Sequence, residues 1–286
     1  MATLRDVKRK INSIRSTQTI TRTMRMISAS KLRRAQEELE RVTAYALASE
    51  GLLSRLTSRI PEGAHPLIGG REEVKKVLLF PIASDRGLSG AFNLNIATAV
   101  ERFILAEKSH YEKIGVYLAG RKIRDYFRRR KIGTEKEWLD LKAAWADIAG
   151  RMAEDLTDLY IKGEYDKVYL IYTHFRSAIR QEVRFEEFLP LKAEKRGDEA
   201  DYLYEPDMES ILVRFIPHYV LTRIYYALVE SQTSEHASRM AAMENATNNC
   251  GEIIDHLTLV YNKTRQQSIT NEMMDIVGGA EALQSS

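Results

Sequence analysis

One segment in the middle of the chain has the composition and position of a phosphate-binding loop. Residues 84–93 read SDRGLSGAFN; the segment follows an apolar run and precedes a predicted helix. Phosphates bind at such places because the first backbone N–H groups of a helix lack partners. The segment lacks the GxxxxGK[ST] pattern, however, and its Gly87–Gly90 spacing falls short of GxGxxG. Two interpretations stay open, a nucleotide site or a tight turn that caps the helix and holds the domain against neighbouring helices, and we favour the second.

Other reactive side chains do not form a pattern typical of an active site. No pair of histidines has HExxH or another metal-ligand spacing, so the sequence predicts no metal site. The single cysteine, Cys250, lies on an apolar helical stripe, where a small core residue is expected. No paired carboxylates and no Ser/His/Asp arrangement stand out. We therefore predict no catalytic residues and no cofactor. The histidines are His65, His110, His174, His218, His236 and His256.

Two long helices are predicted at the ends of the chain. All six prolines lie between Pro61 and Pro217, and apolar residues recur at steps of three and four on either side of that region. Residues 1–60 and 207–286 therefore read as helices, and Pro217 lies near the start of the second, where a helix tolerates proline. We expect the two helices to pair as a long antiparallel coiled coil.

The middle of the chain, residues 72–192, is predicted to be a Rossmann-like α/β domain. Short apolar runs alternate there with helical runs, which is typical of strand–helix–strand repetition. The predicted strands are residues 74–83, 114–119, 166–175 and 182–189, the last at an edge, and the predicted helices are residues 90–108, 122–130 and 141–161.

Charge and composition limit the class of protein. The 286 residues carry a formal net charge of only +3, so the whole chain does not read as a nucleic-acid binder. Basic residues outnumber acidic ones in the first 41 positions, which favours an acidic partner surface, although a solvated polar face would look the same. A single cysteine, the lack of an apolar leader and the lack of an apolar run of about 18 residues predict a bacterial cytoplasmic setting.

Five stretches resemble one family, in order along the chain. They are residues 17–33, 84–90, 201–207, 260–268 and 269–282. The last contains Ile269-Thr-x-Glu272-x-x-Asp275-x-x-x-Gly279-Ala280-x-Ala282, which is similar to the C-terminal signature of the gamma subunits of F-type ATP synthases. The resemblance covers the whole chain, and its terminal motif is highly specific.

The resemblance implies a central rotor that has no catalytic chemistry of its own. The coiled coil would stand inside a ring of three alpha and three beta subunits, and the base would sit on the epsilon subunit and the membrane-embedded c-ring. Proton or sodium flow would turn the c-ring and shaft together, and the shaft would drive each beta subunit through its nucleotide states. The resemblance thus implies a peripheral protein on the cytoplasmic side of a bacterial inner membrane.

The same resemblance assigns roles to individual residues. Met24 and Arg25 would face the acidic lever loops of beta, although family members often have an acidic residue where this chain has Arg25. The catch loop of beta would be bonded, in one orientation of the shaft, by Arg239, Arg265 and Gln266, and these bonds would be broken in another orientation.

Two further groups of residues are implied at the ends of the shaft. The tip in the upper bearing would consist of Ile269, Thr270, Glu272, Gly279 and Ala280. The foot that meets epsilon and the c-ring would include Tyr202, Tyr204 and Glu205. A thiol switch of the chloroplast type needs two close cysteines and is excluded by the single Cys250.

Two other classes of protein remain as alternatives, and each predicts a different behaviour of the isolated chain. A Rossmann-type enzyme using the Gly87–Gly90 turn would bind a nucleotide as an isolated chain. A coiled-coil scaffold unrelated to energy conversion would form a homodimer through its terminal helices.

Overall fold

The computed structural model describes residues 3–57, 65–141, 145–191, 205 and 207–284, excluding the side chains of 281–284. Its first and last elements are the two predicted helices, α1 (Leu4–Thr57) and α5 (Met208–Gln284). The start of α1 is capped reciprocally: the Asp6 N–H donates to Thr3 Oγ1 at 3.3 Å, and the Thr3 N–H donates to Asp6 Oδ2 at 3.3 Å. At the start of α5, Asp207 Oδ1 accepts the Ser210 N–H at 2.7 Å.

Pro217 lies inside α5 and does not end it. A proline removes one intrahelical hydrogen bond, here the one to the carbonyl of residue 213. Val213 is 58% exposed, so this turn of the helix has a face toward solvent. The helix therefore continues through the proline.

The middle of the chain forms a five-stranded sheet in the order β3-β2-β1-β4-β5. β1 pairs in parallel with β2 and β4, β2 pairs in parallel with β3, and β5 is an antiparallel edge strand on β4. The strands are β1 (Lys76–Pro81), β2 (Lys113–Ala119), β3 (Lys136–Trp138), β4 (Lys167–Phe175) and β5 (Gln181–Leu189), and the intervening helices are α2 (Phe92–Glu107), α3 (Arg121–Arg130) and α4 (Trp145–Ile161). The predicted fold class is confirmed.

Two details of the sequence prediction are wrong. The strand β3 was not expected, because its three residues are too few to show alternation. The helix expected from residue 141 begins at Trp145 in the structure. Leu141 lies in a turn, where its N–H donates to Asp85 Oδ2 at 2.9 Å. This bond holds Leu141 against the turn that contains Asp85.

The sheet separates two apolar cores. One core contains buried residues of α4, of the first part of α5 and of the end of α1, including the fully buried Leu56 and Ile216. The other contains α2 and α3, with Ile96 and Phe127 fully buried. The strands are therefore covered on both faces, as parallel sheets require.

The chain divides into two compact units, residues 28–239 and residues 1–27 with 240–286. The boundaries fall inside α1 and α5, so the division at residues 60, 72, 192 and 207 stays a prediction. In the smaller unit, Gln18 Nε2 donates to the carbonyl of Thr247 at 3.3 Å, and Arg25 lies 3.0 Å from Glu244. Numbers rise along α1 as they fall along α5, so the pairing is antiparallel.

The same direction of pairing holds within the larger unit. The Tyr225 hydroxyl donates to Glu38 Oε1 at 2.8 Å, and Tyr45 Oη lies 2.6 Å from His218 Nε2. Thr233 Oγ1 donates to the Ala35 carbonyl at 3.3 Å. Polar contacts thus set the register of an otherwise apolar helix interface.

Asp166 ties the start of β4 to the segment before β1. Its Oδ2 accepts the N–H groups of Lys75 at 2.9 Å and Lys76 at 2.8 Å, and its Oδ1 lies 2.5 Å from Arg71 Nη1. Burial raises the pKa of Asp166, but the backbone N–H donors and Arg71 outweigh it and hold the pKa below its ordinary value.

We expect Asp166→Asn to lower the free energy of unfolding by about 2 kcal/mol at pH 7, because the amide cannot replace a charged acceptor of three donors. A carboxylate with a depressed folded-state pKa stabilises above its unfolded pKa of about 3.9, and this stabilisation is lost as pH falls through the folded value. Urea unfolding followed by tryptophan fluorescence should show the difference at pH 7 and a smaller one below pH 4. The exposed Asp158→Asn serves as control; equal effects of the two variants would contradict the assignment.

Gly115 is predicted to be intolerant of a side chain. A Cβ at this position of β2 would overlap the hydroxyl of the fully buried Tyr165. Gly115→Ala should destabilise by roughly 1–3 kcal/mol, the usual cost of overpacking a core. The matched variant Gly133→Ala meets no atom within 4 Å. Thermal unfolding of both variants measures the difference, and a Gly115→Ala protein as stable as Gly133→Ala would disprove the clash.

Candidate interaction surfaces

The segment 84–93 is a turn closed by its own side chains. Ser84 Oγ lies 2.7 Å from the Arg86 carbonyl oxygen and 2.9 Å from Asn93 Oδ1, either of which can accept its proton, and the Ser84 N–H donates to Asn93 Oδ1 at 3.0 Å. Asn93 Nδ2 donates to Ser89 Oγ at 3.1 Å. The side chains of Ser84, Ser89 and Asn93 therefore bind within the turn and fasten the end of β1 to the start of α2.

Asp85, in the same turn, accepts hydrogen bonds from two neighbouring connections. Its Oδ1 accepts the Arg121 N–H at 3.0 Å, and its Oδ2 accepts the Leu141 N–H at 2.9 Å. Arg121 begins α3 and Leu141 lies between β3 and α4. One carboxylate therefore joins three connections at the carboxyl ends of the strands.

The first part of α5 covers the place where α/β folds of this kind bind ligands. In this strand order that place lies beyond the carboxyl ends of β1 and β4. Ser231 Oγ donates to the Ile82 carbonyl at 3.2 Å, and Ser234 Oγ donates to the Thr173 carbonyl at 3.0 Å. Glu230 Oε1 accepts the Phe175 N–H at 3.3 Å. The crevice is filled by the chain itself, which supports the structural interpretation of the turn over the nucleotide site.

Neither a metal centre nor a membrane span is present in the described part of the chain. Among those residues, no group of three or more His, Cys, Asp or Glu side chains could hold a metal ion. No helix within the described ranges has the length and apolarity to cross a membrane.

The predicted contact residues Met24 and Arg25 lie half-buried on α1. Arg25 Nη1 bonds to Glu244 Oε1 at 3.0 Å, with the two side chains 38% and 50% exposed. Sequence reasoning did not identify Glu244, because the register between two distant helices cannot be read from either one. The pair is exposed enough to exchange partners with an outside carboxylate.

Arg239 has an environment that the sequence did not suggest. It is 8% exposed, its Nη2 lies 2.5 Å from Glu235 Oε1, and its Nε and Nη2 each lie 3.3 Å from the Gly87 carbonyl oxygen. The expected contact with an outside partner stays a prediction, and the side chain would have to leave these acceptors to make it. The four-residue spacing of Glu235 and Arg239 on a helix is the sequence feature from which this ion pair could have been predicted.

The end of α5 is exposed over its whole circumference. Every residue of 265–280 is exposed, which includes the predicted Arg265, Gln266 and tip residues. The tip residues are Ile269, Thr270, Glu272, Gly279 and Ala280. Five large apolar side chains are about half exposed or more: Ile269, Met273, Met274, Ile276 and Val277. Apolar surface on this scale marks a contact with another molecule.

The predicted foot falls mostly outside the described residues. Tyr202 and Tyr204 lie there, and Glu205 is exposed.

Comparison with known proteins connects this chain to one family. A family model described as ATP synthase matches residues 3–283. The chain is 43% identical to the ATP synthase gamma chain of Syntrophobacter fumaroxidans, over 99% of each chain, and 41% identical to that of Anaeromyxobacter dehalogenans, over 99% of this chain and 100% of the other.

Solved structures agree with this match. A chain from the central stalk and c-ring of the Tetrahymena thermophila mitochondrial ATP synthase is 28% identical, with a TM-score of 0.62 over 79% of this chain and 99% of that one. A chain of the Euglena gracilis mitochondrial enzyme, in an assembly of OSCP, F1 and c-ring, has the same fold with a TM-score of 0.68 at 20% identity, over 99% of this chain and 95% of that one. With a full-length family match and relatives above 40% identity, the chain belongs to the family of ATP synthase gamma chains.

Proposed function

We propose that this chain is the central shaft of a bacterial ATP synthase, turned by ion flow through a c-ring and turning inside a ring of three alpha and three beta subunits. The observation that carries the proposal is the bare end of α5, residues 265–280, which exposes large apolar side chains along a single helix. A lone helix gains little stability from its own sequence and needs a surrounding surface. A sleeve of partner subunits supplies that surface.

The chain catalyses no chemical step itself. It acts because its contacts with the beta subunits differ from one orientation of the shaft to the next. An asymmetric shaft touches the three beta subunits differently in each orientation, and each contact favours one beta conformation. A rotor can shift such an equilibrium only by the difference in its contact free energy between the two states. The side chains that matter are therefore those whose partners change with orientation.

Two pairs of residues fit that requirement. Arg265 and Gln266 are exposed and would bond to the catch loop of beta in one orientation. Met24 and Arg25 would face an acidic lever loop of beta, where a loop carboxylate competes with Glu244 for the Arg25 guanidinium. Arg239 would join them only after exchanging Glu235 and Gly87 for a partner.

The two ends of the shaft have different demands. At the upper bearing, Ile269, Thr270, Gly279 and Ala280 offer apolar or small surfaces that can slide past a sleeve, with Glu272 among them. At the foot, Tyr202, Tyr204 and Glu205 would meet the epsilon subunit and the c-ring. Through the c-ring the chain would associate peripherally with the cytoplasmic face of the inner membrane, coupled to proton transport.

The double variant Arg265→Ala with Gln266→Ala should lower the ATPase rate of the assembled complex by roughly tenfold, because it removes charge-assisted hydrogen bonds made in only some orientations. The rate of hydrolysis and the yield of assembled complex are measured together. The exposed Glu252→Ala, on the same helix, serves as control. Full activity and full ion pumping in the double variant would remove these residues from the beta contact.

The native mass of the tagged chain isolated from its own cells tests the whole proposal. The expected species contains one copy of this chain, three copies each of two larger ATPase subunits and a small epsilon-like partner. A lone monomer that retains a nucleotide would favour the Rossmann-type enzyme, and a homodimer would favour the scaffold. Either result would overturn the rotor assignment.

A further inference from the structure

Arg239 and Glu235 form a nearly buried ion pair whose arginine also reaches a backbone carbonyl. The two side chains are 10% and 17% exposed. Arg239 Nη2 lies 2.5 Å from Glu235 Oε1, and both Nε and Nη2 lie 3.3 Å from the Gly87 oxygen, so one guanidinium edge faces the carbonyl. Only arginine presents two donors in such a fork.

The groups packed around this pair shift the pKa values of His236 and Glu235. Burial, then the neighbouring charges of Arg239 and Lys31, lowers the pKa of His236 to about 4, so that imidazole is neutral at pH 7. Burial raises the pKa of Glu235, while the positive charges of Arg239 and Lys31 act in the opposite direction and Asp85 adds to the increase. Loss of either partner would leave the other charge buried without compensation.

The carbonyl that Arg239 holds immediately precedes a residue in a disfavoured conformation. Leu88 has φ 63° and is 62% exposed, so it occupies the left-handed region without gaining burial. Such a conformation persists in a branched residue only when its neighbours impose it. The oxygen of Gly87 belongs to the peptide plane that joins Gly87 to Leu88. An anchor on that oxygen fixes the plane and therefore restricts φ of Leu88.

We propose that Glu235 and Arg239 form a latch that closes the 84–90 turn onto α5 and that Arg239 is a positioning residue for the outward conformation of Leu88. The latch has a consequence in the complex, which rests on the proposed function. A partner carboxylate that takes Arg239 must displace Glu235 or the Gly87 oxygen, and the turn is released in the same event. The arginine and the turn would then change state together.

Hydrogen–deuterium exchange on the free full-length chain tests the latch. Arg239→Lys keeps a cation for Glu235 but lacks the fork, so we expect the amides of residues 84–93 to exchange about five- to tenfold faster. Peptides of β2 and β4 should keep their rates. Glu235→Gln should also accelerate exchange, because the amide oxygen still accepts a bond but no longer offsets the buried charge of Arg239. Arg41→Lys, in an exposed pair with Glu38, should change nothing.

A second substitution separates positioning from packing. Asparagine tolerates a left-handed backbone better than leucine. If Arg239 acts through Leu88, adding Leu88→Asn to Arg239→Lys should bring exchange of residues 84–93 back to within about twofold of the wild type.

Two results would overturn the latch: unchanged exchange of the turn in both single variants, or a double variant that exchanges as fast as Arg239→Lys alone. Should Arg239→Lys fail to fold, Glu235→Gln alone and with Leu88→Asn gives the same comparison. The measurement needs no partner subunit. Its failure would leave the rotor proposal intact, just as failure to isolate the complex would leave the latch intact.

Discussion

The attachment of α5 to the carboxyl ends of the strands is the constraint on which the rest of the larger unit depends. Glu230 is 1% exposed, and its carboxylate bonds to His174 and to the Phe175 N–H. Burial raises the pKa of Glu230, while His174, the Phe175 N–H and the Tyr226 hydroxyl oppose the shift. A buried carboxylate with fixed donors resists sliding of the helix, because a shift in register would leave a charge without partners. Ser231 and Ser234 bind strand-end carbonyls on the same side.

This attachment also explains why an α/β domain of this type has no visible chemistry. Ligands of such folds bind beyond the strand ends on free N–H groups and loop side chains. Here Ser84 bonds to Asn93, Asp85 accepts the N–H groups of Arg121 and Leu141, and α5 bonds to the strand-end carbonyls. The residues that resemble a phosphate loop in sequence thus serve as a fastening between a sheet and a helix. A shaft that must transmit force requires that kind of joint more than it requires a cleft.

Local patterns in the sequence predicted most elements because their causes are local. The distribution of prolines and the three–four apolar spacing gave α1 and α5, and short β-rich runs gave four of the five strands. The three-residue β3 had no pattern to detect. The bond between the Arg239 side chain and the Gly87 carbonyl could not be predicted from the sequence either, because the two residues lie 152 positions apart. The resemblance implies a contact between Arg239 and an outside partner, whereas in the structure the side chain lies nearly buried against Glu235 and the Gly87 carbonyl.

Unequal helix lengths determine where the contact surface must lie. α1 has 54 residues and α5 has 77, so α1 cannot cover the whole of its partner. The uncovered part could have been polar all round, as a solvated helix usually is. Instead it carries Met273, Met274 and Ile276 at 60–73% exposure. Small residues such as Gly279 and Ala280 stand beside them. Large exposed apolar side chains are stabilised by a surrounding protein surface. Among the described side chains of residues 265–280, no ion pair fixes the helix in one orientation inside such a surface. The composition of this segment therefore suits a bearing better than a fixed interface.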